Sequence, residues 1–410
     1  MLITRRTALV GFAACGFSRP APKTDVEKID LFRAGEGNYK LYRIPGIVVT
    51  AKGSVLAFCE ARTGTANDWG IIDILLRRSA DGGRTWSPPR KLAEVPGQHV
   101  KNPVALAAKV AGADERTYNN PLAIAARDGT VHFLFCLEYM RAFYMRSTDD
   151  GRTFTAPVEI TAAFEAFRPA YDWKVLATGP GHGIQLRNGR LIAPVWLSLG
   201  QGSNAHKPSV NSVIYSDDAG RTWKAGDIAV LDTPQFVSAS ETVAEELADG
   251  RVMLNVRTNS NDNRRVVVYS RDGATAWTAP RFHPQLLEPI CMASMARYSL
   301  SRNGRGRDRL LFSNPDNLDR RDGKAAPGLN RDRQRLTVKL SYDEGETWPV
   351  SRVIEEGWSG YSDLAVAKDG TILCFYERGG LNDDHFRSAA LTVARFNMEW
   401  LTGGKDKGGR

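Results

Sequence analysis

SADGGRTW at residues 79–86 returns as STDDGRTF at 147–154, SDDAGRTW at 216–223, SRDGATAW at 270–277 and SYDEGETW at 341–348. The third-position Asp can accept hydrogen bonds from the backbone of its own turn, Gly supplies a φ > 0 conformation, and the terminal Trp or Phe can return to the core. The octamer therefore reads as a fastener of β-hairpins. One active site has no use for five equivalent aspartates, so the copies are assigned to structure and not to catalysis. In the fourth copy Ala274 and Ala276 interrupt the Gly and Thr pattern, which predicts a degenerate turn.

The copies start 68, 69, 54 and 71 residues apart, and each interval holds several short β-rich runs, such as residues 251–256 and 265–269. That period suits a four-stranded β unit with its loops. Such units cannot bury both faces alone and are stable when stacked radially around a channel. About 380 residues at a spacing of about 70 make five to six units. The expected fold class is all-β, a six-bladed β-propeller over residues 26–403 with one blade lacking the motif, followed by a polar tail at 404–410. No length remains for a second domain.

Composition agrees. The chain has 410 residues, 42% of them hydrophobic, which excludes disorder. Its 38 Gly and 20 Pro are scattered, which excludes collagen-like and low-complexity architectures. The formal charge of +9 comes from cations spread along the chain in pairs and triplets at most, so nucleic acid is not an expected partner. Cys59, Cys136, Cys291 and Cys374 lie in or beside apolar runs and read as buried free thiols. With no CxxC and six isolated His, neither a metal nor a redox site is expected.

The opening MLITRRTALVGFAACGFSRPAP places Arg5 and Arg6 before about ten mostly apolar residues, too few to span a bilayer. Residues 1–25 read as an export signal of twin-arginine type. Phe12-Ala13-Ala14-Cys15 is similar to a lipoprotein box, with Cys15 as the lipid-anchored residue. The expected product is an exported monomer without a transmembrane span: periplasmic, a cell-surface lipoprotein, or secreted.

Together with Tyr42-Arg43-Ile44-Pro45, the repeats resemble the bacterial exo-α-sialidases (neuraminidases), retaining glycoside hydrolases that carry Asp-box (BNR) repeats on a six-bladed propeller. The resemblance runs from about residue 30 to residue 401. It implies three arginines that grip a sialic acid carboxylate: Arg43, Arg257 in LNVR, and Arg333 in RDRQRLTVKLS, with Arg331 and Arg335 as alternatives to the last. Arg62 in CEAR corresponds to a further pocket arginine on the O4 side of the sugar. Tyr361 in WSGYSDLAV corresponds to the nucleophile and Glu241 to its partner base, with Glu245 and Glu246 as alternatives. Asp68 in TANDWG corresponds to the acid/base, whereas its competitor Asp73 falls in an alternating strand pattern and takes a structural role. Residues 119–121 resemble a stretch beside the acid/base loop. The family-like segment at 179–184 lacks the Lys-Ser or Lys-Thr of a phosphate loop and reads as close backbone packing.

These residue types suit that chemistry. A sialoside bears a carboxylate on its anomeric carbon, and guanidinium groups bind it with parallel charge-assisted bonds that ammonium cannot reproduce. The same anion would repel a carboxylate nucleophile, so a neutral phenol is better suited to approach that carbon. A phenol with a reference pKa of about 10 needs a base to take its proton. The resemblance thus implies hydrolysis of terminal sialic acids from glycoconjugates with retention, through a tyrosyl-enzyme intermediate and without a cofactor, the partner being a sialylated glycan. A non-catalytic sialoglycan-binding propeller, a trans-sialidase and a hydrolase of a related nonulosonic acid remain alternatives.

Overall fold

The computed structural model describes residues 26–64, 67–301 and 306–409. The export-signal reading and Cys15 lie outside these residues.

The chain's regular secondary structure is almost entirely β. Its only helices among the described residues are the short Pro103–Ala107, Ala162–Glu165 and Met398–Thr402. None is long and apolar enough to cross a membrane. Hydrogen bonding among the described residues defines five sheets. Four are built on antiparallel four-stranded paths, Leu41–Val49 through Arg90–Lys91, Tyr118–Ala125 through Val158–Glu159, Val175–Thr178 through Lys224–Ala225, and Thr242–Glu246 through Arg281–Leu287; Gly181–His182 adds a parallel strand to Tyr118–Ala125, and Ile184–Gln185 pairs with Leu191–Gln201. The fifth has seven strands because Val350–Val366 serves twice. Its first half pairs with Gln334–Ser341 and its second half with Ile372–Arg378. The sheet ends on Glu27–Arg33, which pairs antiparallel with Ala390–Phe396 and so joins the two ends of the chain.

The innermost strands touch in a ring. Leu41–Val49 packs on Tyr118–Ala125, which packs on Val175–Thr178 of the next sheet; in the same sheet Leu191–Gln201 packs on Thr242–Glu246. From there Ser294–Ser299 and Val350–Val366 lead back to Leu41–Val49. This is a β-propeller. Stacking covers both faces of each sheet, so the second strand of a sheet can be buried along its whole length rather than on alternate residues, as is every residue of Val131–Leu137, VHFLFCL. Phe58 and Phe133 meet edge-to-face across neighbouring sheets, with ring centroids 5.1 Å apart. Truncating a buried ring of this kind to Ala costs about 3–5 kcal/mol. Three of the outermost strands, Arg90–Lys91, Val158–Glu159 and Lys224–Ala225, are only two residues long, which leaves little edge to aggregate.

All five octamers join the third strand of a sheet unit to its fourth. In the first, Ser79 Oγ accepts from the Gly83 N–H at 2.8 Å while Asp81 accepts from the Thr85 N–H at 2.9 Å and the Thr85 hydroxyl at 2.7 Å. The same bonds recur around Asp149, Asp218 and Asp343. The turn needs two successive left-handed residues: Gly82 and Gly83, Asp150 and Gly151, Ala219 and Gly220, Glu344 and Gly345. In the second and third copies packing requires Gly at the second position too, since a Cβ on Gly151 would lie 2.6 Å from the Leu56 side chain and one on Gly220 would lie 2.4 Å from the Tyr144 hydroxyl. The fourth copy departs as expected but still closes, one residue shorter: Asp272 accepts from Ala274 and Thr275 at 2.9 and 2.8 Å, and Asp227 takes over the Ala276 N–H at 2.9 Å. Trp223 and Trp348 are buried at the ends of their copies, whereas Trp86, Phe154 and Trp277 are half-buried. No octamer bridges Ala390–Phe396 to Glu27–Arg33, because those strands come from opposite ends of the chain.

Cys59, Cys136, Cys291 and Cys374 are buried free thiols. Residues 404–409 are tied to the sheets, with Arg309 holding Asp406 through contacts of 2.7 and 2.8 Å.

Candidate active site

A cavity of about 450 Å³ opens over one end of the ring of inner strands, and Arg43, Arg62, Asp68, Glu241, Arg257, Arg333 and Tyr361 all line it. They arrive from separate elements: Arg43 from Leu41–Val49, Arg62 from the end of Val55–Arg62, and Tyr361 from the second half of Val350–Val366. Glu241 and Arg257 flank a hairpin, immediately before Thr242–Glu246 and after Val252–Val256. Asp68 and Arg333 stand on loops. Radial stacking brings these distant stretches to one mouth.

The Tyr361 hydroxyl is 2.6 and 2.7 Å from the two carboxylate oxygens of Glu241. Arg257 Nη1 donates to the same hydroxyl at 2.7 Å and also to Glu241. Around the ring, the guanidinium carbons of Arg43, Arg333 and Arg257 lie 5.2, 5.2 and 6.0 Å from the centroid. Burial raises the phenol's pKa well above its ordinary value; Glu241 adds to this, while the three arginines oppose it. The hydroxyl at rest is therefore neutral and bonded to a carboxylate that can receive its proton.

The cations differ in how they are held. Glu377 binds Arg43 at Nε, 2.9 Å, and Nη2, 3.4 Å. Arg62 lies between Glu60, 3.1 Å from Nε, and Asp68, 2.7 Å from Nη1. Arg333 has no carboxylate partner among the described residues. Its Nη2 donates to the Ile290 carbonyl at 2.7 Å, its Nε is buried without a partner, and its planar group lies 4.7 Å from the Phe386 ring as well as over Tyr361. Its charge is thus available to an incoming anion.

Burial of Asp68 favours the protonated form, yet Arg62, Arg43 and His206 together hold its pKa below the usual carboxylate range. In the free protein it is ionised. Beside this loop, Asn119 donates to the Asp68 carbonyl at 3.2 Å, and the Asn120 N–H donates to Glu60 at 2.9 Å.

The alternatives lie elsewhere. Asp73 binds Tyr39 at 2.7 Å and Lys91 at 2.9 Å. Glu246 holds Arg187, and Glu245 lines a different cavity with His182 and Arg297. Arg331 donates to Asn263 at 2.9 Å, and Arg335 pairs with Glu356 at 3.5 Å, neither lining the site. The segment at 179–184 is tightly packed: a Cβ on Gly183 would lie 2.4 Å from the Ile192 carbonyl.

Sequence reading missed Glu377 and Glu60, the buried acids that orient Arg43 and Arg62. Each stands beside an arginine in sequence, in Glu377-Arg378 and Glu60-Ala61-Arg62, but only the fold shows which guanidinium each carboxylate meets.

The model of the BNR repeat-like domain matches residues 101–374. The chain is 32% identical over 390 residues to a sialidase of Micromonospora viridifaciens, covering 91% of this chain and 54% of that protein. It is 30% identical over 367 residues to a sialidase of Bacteroides fragilis, covering 84% and 61% respectively. The chain therefore spans little more than half the length of these relatives. Among solved structures, a Hadza microbial sialidase superposes with a TM-score of 0.71 at 27% identity, over 91% of this chain and 69% of that one. On the first of these matches, which spans more than half of the chain, the protein belongs to the BNR repeat-like domain family.

Proposed function

We propose that the protein is an exo-α-sialidase that removes terminal sialic acids from glycoconjugates with net retention, on a propeller of six blades. The six-blade count treats the seven-stranded sheet as two four-stranded blades that share Val350–Val366, the bend falling where its partner changes between Trp358 and Ser359.

The observation that carries the reading is the contact of the Tyr361 hydroxyl with Glu241 inside a ring of three guanidinium groups. Arg43, Arg257 and Arg333 take the sugar carboxylate, each charge-assisted bond contributing about 1.5–3 kcal/mol. The clamp places the anomeric carbon beside the phenol. Tyr361 Oη attacks that carbon as its proton passes to Glu241, and the bond to the leaving oxygen breaks as Asp68 protonates it. Asp68, now ionised, takes a proton from water as the water oxygen displaces Tyr361 from the sugar, and the phenolate recovers its proton from Glu241. Two displacements at one carbon give retention.

Asp68 begins ionised and must gain a proton to act first as an acid. Substrate binding supplies the change: the sugar carboxylate draws on Arg43, and the sugar ring strips water from a side chain that is 21% exposed. Both effects favour the neutral carboxyl.

Product analysis after incubation with α2,3- and α2,6-sialyl-lactose tests this reading. Free sialic acid, released first as the α-anomer, is expected. Release of the β-anomer first contradicts retention, transfer to lactose or an anhydro product identifies a transferase, and binding without turnover identifies a lectin-like propeller.

A further inference from the structure

The acid/base carboxylate is held from two sides. Asp68 Oδ1 accepts from Arg62 Nη1 at 2.7 Å, and Asp68 Oδ2 accepts from the side-chain amide of Asn204 at 2.9 Å. Asn204 lies in the loop between Leu191–Gln201 and Lys207–Ser216, two sheets away from Asp68, and stands exposed at the cavity rim. A second bond runs the opposite way. The indole N–H of Trp69, the residue after Asp68, donates to the Asn204 carbonyl at 3.0 Å.

The latch is firmly based. Trp69 is fully buried, its ring 4.8 Å from Tyr139 and 5.4 Å from His206. Its carbonyl accepts from Lys101 Nζ at 2.5 Å and from the Thr117 hydroxyl at 2.8 Å. On the other side Ala205, directly after Asn204, is buried in a left-handed conformation at φ 52°. The backbone is thereby set at Trp69 and at Asn204, and the Asn204 side chain is aimed at Asp68.

We propose that Asn204 is a positioning residue for Asp68 that serves both of its protonation states. The inference rests on the exo-α-sialidase reading. Arg62 can only donate, so the oxygen it faces cannot also present a proton to it. The proton destined for the leaving oxygen therefore resides on Oδ2, the oxygen that Asn204 addresses. Toward the carboxylate, Asn204 offers an N–H. Toward the carboxylic acid, the same amide turned over offers its carbonyl oxygen as acceptor. No charged or apolar side chain at that position can do both. Because Asn204 is at the rim, the departing group passes beside it, and its contribution is greatest where leaving-group protonation matters most.

The test compares wild type with Asn204→Ala, which keeps the backbone carbonyl that Trp69 binds. Removing a donor from the carboxylate raises the Asp68 pKa, by about half a unit to one unit. Carbon-13 NMR of aspartate-labelled protein, with Asp68→Asn to assign the signal, is expected to show that upward shift. In parallel, kcat on sialyl-lactose should fall about tenfold, the loss of one hydrogen bond to a charged group, with KM little changed. An aryl sialoside with a good leaving group should lose less than about threefold. The high-pH limb of the sialyl-lactose profile should move up with the Asp68 pKa. An unchanged Asp68 titration, or equal losses on both substrates, overturns the inference. Wild-type inactivity on all sialosides would instead overturn the proposed function, while the titration would still decide the role of Asn204.

Discussion

Glu377 holds Arg43 and the backbone of Tyr361 on one carboxylate. Its Oε1 accepts from Arg43 Nε at 2.9 Å and from the Ile44 N–H at 3.2 Å, and its Oε2 accepts from the Tyr361 N–H at 3.1 Å. Ile44 sits at φ 59°, a left-handed conformation costly for a β-branched residue, and the Glu377 contact helps to hold it there. One buried acid thus sets the spacing between Arg43 and Tyr361.

Glu377→Ala leaves the buried Arg43 charge without its partner. The expected cost is about 3–5 kcal/mol of stability, and KM for sialosides should rise. Glu377→Gln keeps the acceptor for Ile44 and should be milder on both measures. Chemical denaturation followed by kinetics on the refolded protein checks the pair.

Tyr361→Phe removes only the hydroxyl and its bonds to Glu241 and Arg257. Turnover of sialyl-lactose should fall by at least about a thousandfold while the thermal midpoint stays within a few degrees of wild type. Wild-type rates would contradict the nucleophile assignment.

Arg333→Lys keeps the charge but loses the planar fork and the stacking between Tyr361 and Phe386. KM should rise by about tenfold or more. Arg331→Lys, whose wild-type partner is Asn263, should leave steady-state kinetics unchanged. The reverse pattern would move the clamp to Arg331.

Asp218 in the third octamer is lowered to about 2 by the Thr222 N–H, then by the Thr222 and Ser216 hydroxyls. A depressed carboxyl contributes stability above its unfolded value of about 3.9, and that contribution is lost as pH falls through about 2. Asp218→Ala should therefore cost about 1 kcal/mol near pH 7, and the gap from wild type should narrow below pH of about 4. Activity should not change, since the octamers do not line the cavity.

What the sequence made legible follows from the range of the interactions. The octamers are closed by bonds within four residues, so their turns and the hairpins they join can be read locally. The double use of Val350–Val366 leaves no local signal, because the exchange of partners between Trp358 and Ser359 depends on two different neighbours. The seven residues nominated for the site carry recognisable local contexts, and the fold places all of them around one cavity. Glu377, Glu60 and Asn204 act across 334, 2 and 136 residues respectively, and even the short separation of Glu60 from Arg62 spells out an ordinary strand. Only the radial stacking shows which partner each one meets.

The proposed mechanism requires a covalent bond between the sugar and Tyr361. A 2,3-difluoro sialic acid, whose C2 fluoride departs and whose C3 fluorine slows the second displacement, should trap it. Intact mass spectrometry should show the protein heavier by one fluorosialosyl group, peptide mapping should place that group on Tyr361, and Tyr361→Phe should stay unmodified. A label on Glu241 or another residue, or an active enzyme that accumulates no adduct, would contradict the account.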